Sequence, residues 1–215
     1  MKKWIIFFLL VFLPRLVFAG GLILNIWDGT EYSVIEQVYN NNRLPNLKSI
    51  GELKHLTCNT ELGMITVTKP QHATMLTGYL ADVHGIYSNK DEILIPKEIT
   101  VFYDVINQNP SIRTAFLTGK PTVIGEAIFG DLIGFIDFWW AEKVMPLGET
   151  TVAINVLNGW QNDDVFMVVH FKEPDTIGHQ YGVNSFEYKT QLARNDVQLG
   201  RVLDVLGDKT FIVLG

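Results

Sequence analysis

Two apolar runs, far apart in the sequence, most constrain how this chain can fold. They are Gly21–Trp27 (GLILNIW) and Val165–Phe171 (VFMVVHF). Continuous runs of this kind, rich in apolar and β-branched residues, are typical of strands buried in a parallel sheet. Asp28 follows the first run directly, and Asp175 comes shortly after the second. Because open α/β sheets hold their chemistry at the carboxyl ends of the strands, the sequence predicts an α/β fold with a functional site there.

The segments between these runs alternate between helical and strand patterns. Residues 31–40, 99–108 and 186–206 are predicted helices, the last two with apolar residues at helical spacing. Residues 114–118 are a predicted core strand, and Gly207 can end the last helix. Such alternation favours a largely parallel sheet between helical layers in a single domain.

A threonine precedes a proline that can open a helix. Pro70 has its φ angle near the helical value, so we predict a helix from about that residue. The helix start suits a phosphate or sulfate and favours an ionised hydroxyl, which makes Thr68 a candidate nucleophile. The alternative is an ordinary residue at a helix start. Four residues are expected to carry this helix into the fold: Ala73, Met75, Leu76 and Tyr79.

Candidate metal ligands lie near both apolar runs. Asp175 and His179 are four residues apart, so their oxygen and nitrogen atoms can converge on one cation, and this mixture suits zinc better than calcium or magnesium. Asp28 is the second candidate ligand. Each candidate also has an interpretation without a metal. Asp28 followed by Gly29 is a common turn, and Asp175 with His179 can cap a loop or face solvent.

Three groups of motifs, in this chain order, resemble the alkaline phosphatase superfamily, and most closely its type I phosphodiesterase and nucleotide pyrophosphatase branch. They are Asp28-Gly29 with Pro45-Asn46-Leu47, residues 68–89 with Thr-x-Pro-x-His, Thr-Gly-Tyr and His-Gly-Ile-Tyr-Ser-Asn, and residues 175–179 with D-x-x-G-H. The resemblance implies an alkaline phosphatase-like fold, in which a largely parallel central sheet is flanked by helices on both faces.

The resemblance also implies a metal-dependent hydrolase of phosphodiester or related phosphate ester bonds. Thr68 would be its nucleophile and a metal ligand, and Asn89 would donate a hydrogen bond to a non-bridging substrate oxygen. Two divalent ions, expected to be zinc, would be bound by Asp28 on one side and by Asp175 with His179 on the other. The expected partner is a small phosphate ester or nucleotide-like substrate.

The family pattern continues where this sequence stops. Residues 210–215 correspond to the strand before the family's Asp-His-Gly segment, so three of the six implied protein metal ligands besides the nucleophile lie beyond Gly215. We therefore expect residues 20–215 to be the N-terminal portion of a catalytic domain, and this chain alone to be a candidate inactive fragment. His55 and His170 receive no assignment, because a lone histidine is usually structural.

The N-terminus has the pattern of a targeting element. Lys2 and Lys3 precede an apolar run over residues 4–13, and residues 17–19 resemble a cleavage site, which predicts a signal peptide over residues 1–19. The mature protein is expected to be periplasmic or extracellular, with an uncleaved membrane anchor as the alternative. Cys58 is the single cysteine, so no internal disulfide can form, and we interpret it as a structural thiol.

Composition excludes several other classes. A net charge of −6 without a dense Lys/Arg run disfavours a general nucleic-acid-binding surface. The motifs of P-loop kinases, dinucleotide-binding dehydrogenases and common esterases are missing. The aromatic segment 133–140 is expected to pack in the core, with base stacking or lipid contact as alternatives. Lys69 and Tyr79 are either substrate contacts or an ordinary solvated lysine and packed aromatic.

Two alternative functions stay open. One is a sulfatase or phosphomonoesterase of the same superfamily, although Thr68 disfavours a sulfatase because the sulfatases that the fold resembles convert a Cys or Ser to formylglycine. The other is a secreted, non-catalytic binding module that keeps the fold after losing part of its metal site.

Overall fold

The fold is built on one parallel β-sheet. The computed structural model describes residues 20–53, 67–143 and 146–215, and within them five strands form this sheet, in the order β3-β2-β4-β1-β5, with every neighbouring pair parallel. The strands are β1 (Gly21–Trp27), β2 (Arg113–Thr118), β3 (Phe138–Ala141), β4 (Val165–Phe171) and β5 (Thr210–Leu214). The predicted α/β fold with a largely parallel sheet is confirmed.

The two predicted apolar runs are neighbouring strands inside the sheet. All residues of β1 and β4 are buried, and both strands have the predicted boundaries. A strand covered on both faces needs an apolar residue at nearly every position, which is why the sequence marks it so clearly. Gly21 pairs with Val165 and Trp27 with Phe171, so the two strands end at the same level. The residues that follow them therefore leave the sheet side by side.

Helices cover both faces of the sheet. They are α1 (Tyr32–Asn40), α2 (Pro45–Ile50), α3 (Thr68–Thr77), α4 (Ala81–His84), α5 (Val101–Gln108), α6 (Pro121–Ile124), α7 (Glu126–Phe129), α8 (Pro146–Gly159), α9 (Asp175–Tyr181) and α10 (Phe186–Leu203). Ile23 faces the layer formed by α1, α2, α8 and α10, and its neighbour Leu24 faces the layer that contains α3, α5, α6 and α7. Alternating side chains of one strand thus contribute to two separate cores.

Helix boundaries differ from the predictions by up to three residues, at positions that local hydrogen bonds or turns determine. A 3₁₀ turn (Lys97–Ile99) precedes α5, which begins at Val101 rather than at residue 99. Thr100 caps this start, since its Oγ1 accepts a hydrogen bond from the Tyr103 N–H over 3.4 Å. The helix α10 ends at Leu203 rather than at residue 206. The helix α1 begins one residue later than predicted, and β2 one residue earlier.

The helix α3 begins at Thr68, two residues before the predicted start. Pro70 therefore occupies the third helical position. The first turn of a helix has no internal partners for its N–H groups, so a proline is accommodated there as well as at the first position. This correction places Thr68 inside the first turn of the helix rather than in front of it.

The other end of α3 is a left-handed glycine turn. Gly78 has φ 72°, and its N–H donates to the Thr74 carbonyl over 2.8 Å. Tyr79 lies beyond this turn and is 39% exposed, so the prediction that it carries the helix into the fold was wrong. The other predicted contacts hold, with two residues buried and one partly buried: Ala73, Leu76 and Met75.

The aromatic segment 133–140 packs against the sheet and a neighbouring helix. The Trp139 ring stacks on Phe116, with ring centroids 4.9 Å apart, and the Phe135 ring stacks on Tyr103 at 5.9 Å. Both pairs have the centroid separations typical of aromatic contacts inside proteins. The prediction of core packing is confirmed for these two rings.

Some sequence predictions concern residues outside the described ranges. They are the signal peptide over residues 1–19, the thiol of Cys58 and the histidine His55. Among the helices of the described ranges, none combines the length and the apolar composition that crossing a bilayer requires.

Candidate metal centre

The backbone fixes Asp28 and Asp175 next to each other. The Asp28 N–H donates to the Phe171 carbonyl over 3.0 Å, and the Asp28 carbonyl accepts from the Asp175 N–H over 2.8 Å. Gly29 has φ 68°, and a Cβ atom added there would lie 2.7 Å from the Asp175 Cα. Glycine is needed at this position for both its conformation and the close approach. The turn chemistry of Asp28 with Gly29 is therefore what brings the two aspartates together.

Asp175 and His179 share one face of a helix. Asp175 begins α9, and His179 follows one turn later. Asp175 Oδ1 and His179 Nε2 are 3.3 Å apart, and the His179 side chain is 82% exposed. An oxygen and a nitrogen at this separation fit the coordination of one zinc-like cation. The histidine of this pair is therefore accessible from solvent.

Lys120 joins the two aspartates. Its ammonium Nζ donates to Asp28 Oδ2 and, over 2.6 Å, to Asp175 Oδ2. The lysine lies just after β2, where its backbone N–H donates to Thr118 Oγ1 over 3.0 Å. Asp28 and Asp175 are thus close enough to hold one cation between them.

The neighbours of Asp28 and Lys120 shift the pKa values of both side chains. Burial alone would raise the pKa of Asp28, but its contacts with His170 and Lys120 hold that pKa far below its ordinary value. Burial alone would lower the pKa of Lys120, but the charges of Asp28 and Asp175 raise it. Asp28 is therefore a carboxylate anion at neutral pH, as metal binding requires.

Two buried histidines lie on the other side of Asp28. His170 is the sixth residue of β4, and its Nε2 lies 3.5 Å from Asp28 Oδ2. His72 is on α3, and its ring meets that of His170 edge to face, with centroids 4.8 Å apart. One potential ligand atom from each of Asp28, His72 and His170 lies within 4.8 Å of the others. Burial lowers the pKa of His72 to about 4 and also lowers that of His170, so both rings are neutral at pH 7.

Thr68 is tied to this group through its backbone. The Thr68 side chain is half-buried, and its carbonyl accepts a hydrogen bond from His72 Nδ1 over 2.7 Å. Asn89 lies at the same helix start, because its Oδ1 accepts from the Lys69 N–H over 2.7 Å. The structure therefore places the two predicted catalytic residues at one end of α3, with His72 between that end and Asp28.

Lys69 has a structural contact. Its side chain is buried, and its Nζ donates to the Asp91 carbonyl over 2.6 Å. This bond fastens the segment that carries Asn89 to the start of α3. The interpretation of Lys69 as a solvated lysine was wrong.

The sequence analysis left three residues of this group without a role: Lys120, His72 and His170. The sequence could have indicated Lys120 and His170 as site residues. Both lie near the carboxyl ends of predicted strands, at the edge of the sheet that carries Asp28. His72 lies one helical turn after the candidate nucleophile. Their meeting depends on the strand order, in which β4 separates β1 from β2.

A family model decides the classification. The model described as "Type I phosphodiesterase / nucleotide pyrophosphatase" matches residues 22–129 and 136–215. The chain belongs to this family. It is therefore a member of the nucleotide pyrophosphatase/phosphodiesterase branch of the alkaline phosphatase superfamily, as its motifs predicted.

Two curated relatives carry the name of the same family. The chain is 25% identical to ectonucleotide pyrophosphatase/phosphodiesterase family member 7 of Rattus norvegicus, over 91% of this chain and 49% of that protein. The Mus musculus protein is 24% identical, over 85% and 45%. The chain thus spans about half the length of these relatives.

Solved structures of ectonucleotide pyrophosphatase / phosphodiesterase 5 have the same fold. An inactive variant of the murine protein, in complex with AMP, has a TM-score of 0.59 and 17% identity, over 87% of this chain and 52% of that one. The human protein has a TM-score of 0.58 and 17% identity, over 86% and 52%. At this identity the likeness supports the fold of the chain alone.

Proposed function

We propose that this chain carries the N-terminal part of a metal-dependent hydrolase of phosphodiester or related phosphate ester bonds. The observation that supports this most is the convergence of Asp28, Asp175 and His179 at one edge of the sheet. Family membership is consistent with the same chemistry. Residues 20–215 would then be part of a catalytic domain, and the substrate a small phosphate ester or nucleotide-like molecule.

The donor atoms fit divalent cations. Asp28 offers a buried carboxylate, and Asp175 with His179 offers the mixed oxygen and nitrogen set that zinc accepts. When bound at these two places, zinc ions would lower the pKa of the Thr68 hydroxyl and polarise the phosphoryl oxygens.

Thr68 is the proposed nucleophile. Its Oγ1 gives up its proton to water and forms a bond to phosphorus as the bond from phosphorus to the leaving-group oxygen breaks. That oxygen departs with the electron pair and takes up a proton from water. Water then cleaves the threonyl ester and regenerates the hydroxyl. Asn89 Oδ1 is held by the Lys69 N–H, which leaves the Nδ2 hydrogens for a non-bridging oxygen. The N–H groups of the first turn of α3 favour the same negative charge.

The test is Thr68→Ala in the full-length protein, assayed with bis(p-nitrophenyl) phosphate. We expect kcat to fall at least about a thousandfold, because a removed nucleophile leaves only the contributions of binding and electrostatics. Metal content, measured by mass spectrometry, should be retained at the level of the unmodified protein.

Thr151→Ala is the matched control. Thr151 is an exposed helical threonine whose Oγ1 bonds the Leu147 carbonyl four residues earlier, and its removal should leave turnover unchanged. Unchanged turnover in the Thr68 variant would remove Thr68 from the nucleophile role. Monoester and sulfate ester substrates in the same assay distinguish the phosphodiesterase from the other hydrolases of the superfamily.

The non-catalytic binding module remains a second candidate because of Lys120. Its ammonium already bridges Asp28 and Asp175, so the group has an internal cation. A purified full-length protein that contains no metal and hydrolyses none of these esters would favour this alternative. For either function we propose export to the periplasm or the extracellular space, with residues 1–19 as the signal peptide.

A further inference from the structure

The two histidines beside Asp28 have unusual surroundings. His72 and His170 are 3% and 0% exposed. His72 Nε2 has no hydrogen-bond partner among the described residues, and His170 Nε2 has only the ion-pair contact with Asp28 Oδ2, at 3.5 Å. A buried polar atom without a partner loses the hydrogen bond that it makes in water, and this destabilises the folded protein. Two such atoms beside one buried carboxylate indicate a missing common partner.

The opposite nitrogen of each ring is anchored. His72 Nδ1 lies 2.7 Å from the Thr68 carbonyl, which can only accept, so Nδ1 carries the proton and Nε2 carries the lone pair. His170 Nδ1 lies 3.1 Å from Thr118 Oγ1, whose lone pairs can accept both this nitrogen's proton and the Lys120 N–H. Metal-binding histidines are typically oriented in this way, by a hydrogen bond from the ring nitrogen that does not bind the metal.

We infer that Asp28, His72 and His170 form a metal site for a zinc-like divalent transition metal. One carboxylate and two imidazoles are ligands that such ions accept, whereas calcium and magnesium prefer oxygen alone. The donor atoms lie within 4.8 Å of one another. Tetrahedral zinc with bonds of about 2.0–2.1 Å holds its ligand atoms about 3.3 Å apart, so small side-chain movements complete the site.

The site differs from the one that the motifs predicted. The sequence analysis paired Asp28 with ligands beyond Gly215, whereas these two histidines give an ion at Asp28 two nitrogen ligands from within the described residues. The inference does not depend on the proposed hydrolysis, since a non-catalytic protein can hold the same ion.

Lys120 is the competitor for this ion. Its ammonium contacts Asp28 Oδ2, the oxygen that also faces His170 Nε2. Binding of the metal at this oxygen displaces the ammonium from Asp28, while Asp175 still accepts its hydrogen bond. Removing the ammonium is therefore expected to increase metal affinity.

Cobalt titration tests the inference, because tetrahedral Co²⁺ has intense visible absorption bands. The metal-free protein with His179→Ala is used, so that the Asp175 pair does not contribute. We expect one equivalent of Co²⁺ to bind with tetrahedral bands. His72→Gln and His170→Gln should each lower its affinity by at least about tenfold, and Thr118→Val by about 10–100-fold through loss of the hydrogen bond that orients His170.

Two further variants test whether the changes in cobalt affinity are specific to this site. His84→Gln removes another buried histidine, one that lies outside the cluster, and should leave the cobalt affinity unchanged. Lys120→Met should raise it. Cobalt affinity that is unaffected by either glutamine substitution at His72 or His170 would overturn the inference, as would the absence of tetrahedral bands in the His179→Ala protein.

A measurement without substitutions at the cluster covers the case in which these variants do not fold. ¹⁵N NMR of the histidine side chains, recorded with and without Zn²⁺, reports on each ring nitrogen. We expect the Nε2 resonances of His72 and His170 to shift on addition of one equivalent of Zn²⁺. Resonances that stay in place would show that the two rings are only a packed pair, and would overturn the inference.

Discussion

Two buried carboxyl groups of this chain have opposite surroundings. Asp28 contacts the Lys120 ammonium and faces His170 Nε2, and these contacts hold its pKa far below the ordinary value. Glu149, on α8, is also buried, but neither of its oxygens has a hydrogen-bond partner within the described part of the chain. Burial, reinforced by the charge of Glu173, raises the pKa of Glu149 to about 8.

The difference shows that burial alone does not determine the charge of an acid. Asp28 is an anion at neutral pH because His170 and the Lys120 ammonium lie beside it, and an anion can bind a metal. Glu149 is mostly neutral at pH 7, because isolated carboxylates are costly inside a protein. The strand order places His170 and Lys120 beside Asp28, whereas the oxygens of Glu149 have no hydrogen-bond partner among the described residues. This difference explains why Asp28 is charged and Glu149 is mostly neutral.

Removing the charge of Asp28 should have the largest effect. Asp28→Asn in the full-length protein is expected to lower kcat/KM for a phosphodiester at least about a thousandfold, since a bound metal contributes several kcal/mol of transition-state stabilisation. Metal content should fall in parallel. Asp104→Asn, which neutralises an exposed acid, is the control. Full metal content and activity in the Asp28 variant would show that this carboxylate binds no essential ion.

Replacing Glu149 should have the next largest effect, on stability. The folded-state pKa is about 8 and the ordinary value 4.5, so the stability that this group provides is complete below pH 4.5 and is lost as pH rises through 8. This loss is on the order of 5 kcal/mol. Glu149→Gln has no proton to lose and should be more stable than the unmodified protein at pH 9. Urea unfolding at pH 5 and pH 9 measures this. Equal pH dependence in both proteins would contradict the raised pKa.

Acid should destabilise the metal-free protein through His72. Its pKa is about 4 when folded and 6.5 ordinarily, so the unfolded state takes up a proton first as pH falls. The free energy of unfolding should decrease between pH 6.5 and pH 4 by on the order of 3 kcal/mol. His72→Gln should flatten this decrease, and His179→Gln, which changes an exposed ring, should not. An unchanged slope in the His72 variant would assign the effect to other groups.

The central strands and the positions of two candidate metal ligands could be predicted, for a physical reason. Strands β1 and β4 are buried on both faces, so each is a continuous apolar run with clear ends, and Asp28 and Asp175 follow those ends. The exact start of α3 could not be predicted, because a proline is accommodated at any position of the first turn.

The remaining parts of the site depend on contacts between distant segments. Lys120 is 92 residues from Asp28 in sequence, and their contact follows from the positions of β2, β4 and β1 in the sheet. From the sequence alone, His170 is only a residue of a buried strand. Its contact with Asp28 becomes visible only in the structure. Periodicity describes single elements, so it carries no information on such pairs.

Anomalous X-ray scattering at the zinc edge, from crystals of the full-length protein grown with zinc, tests most directly whether these acids gather metal ions. We predict one peak beside the carboxylate of Asp28 and a second between Asp175 Oδ1 and His179 Nε2. Crystals without a peak at either place, and with Lys120 still bridging the two aspartates, would contradict the account.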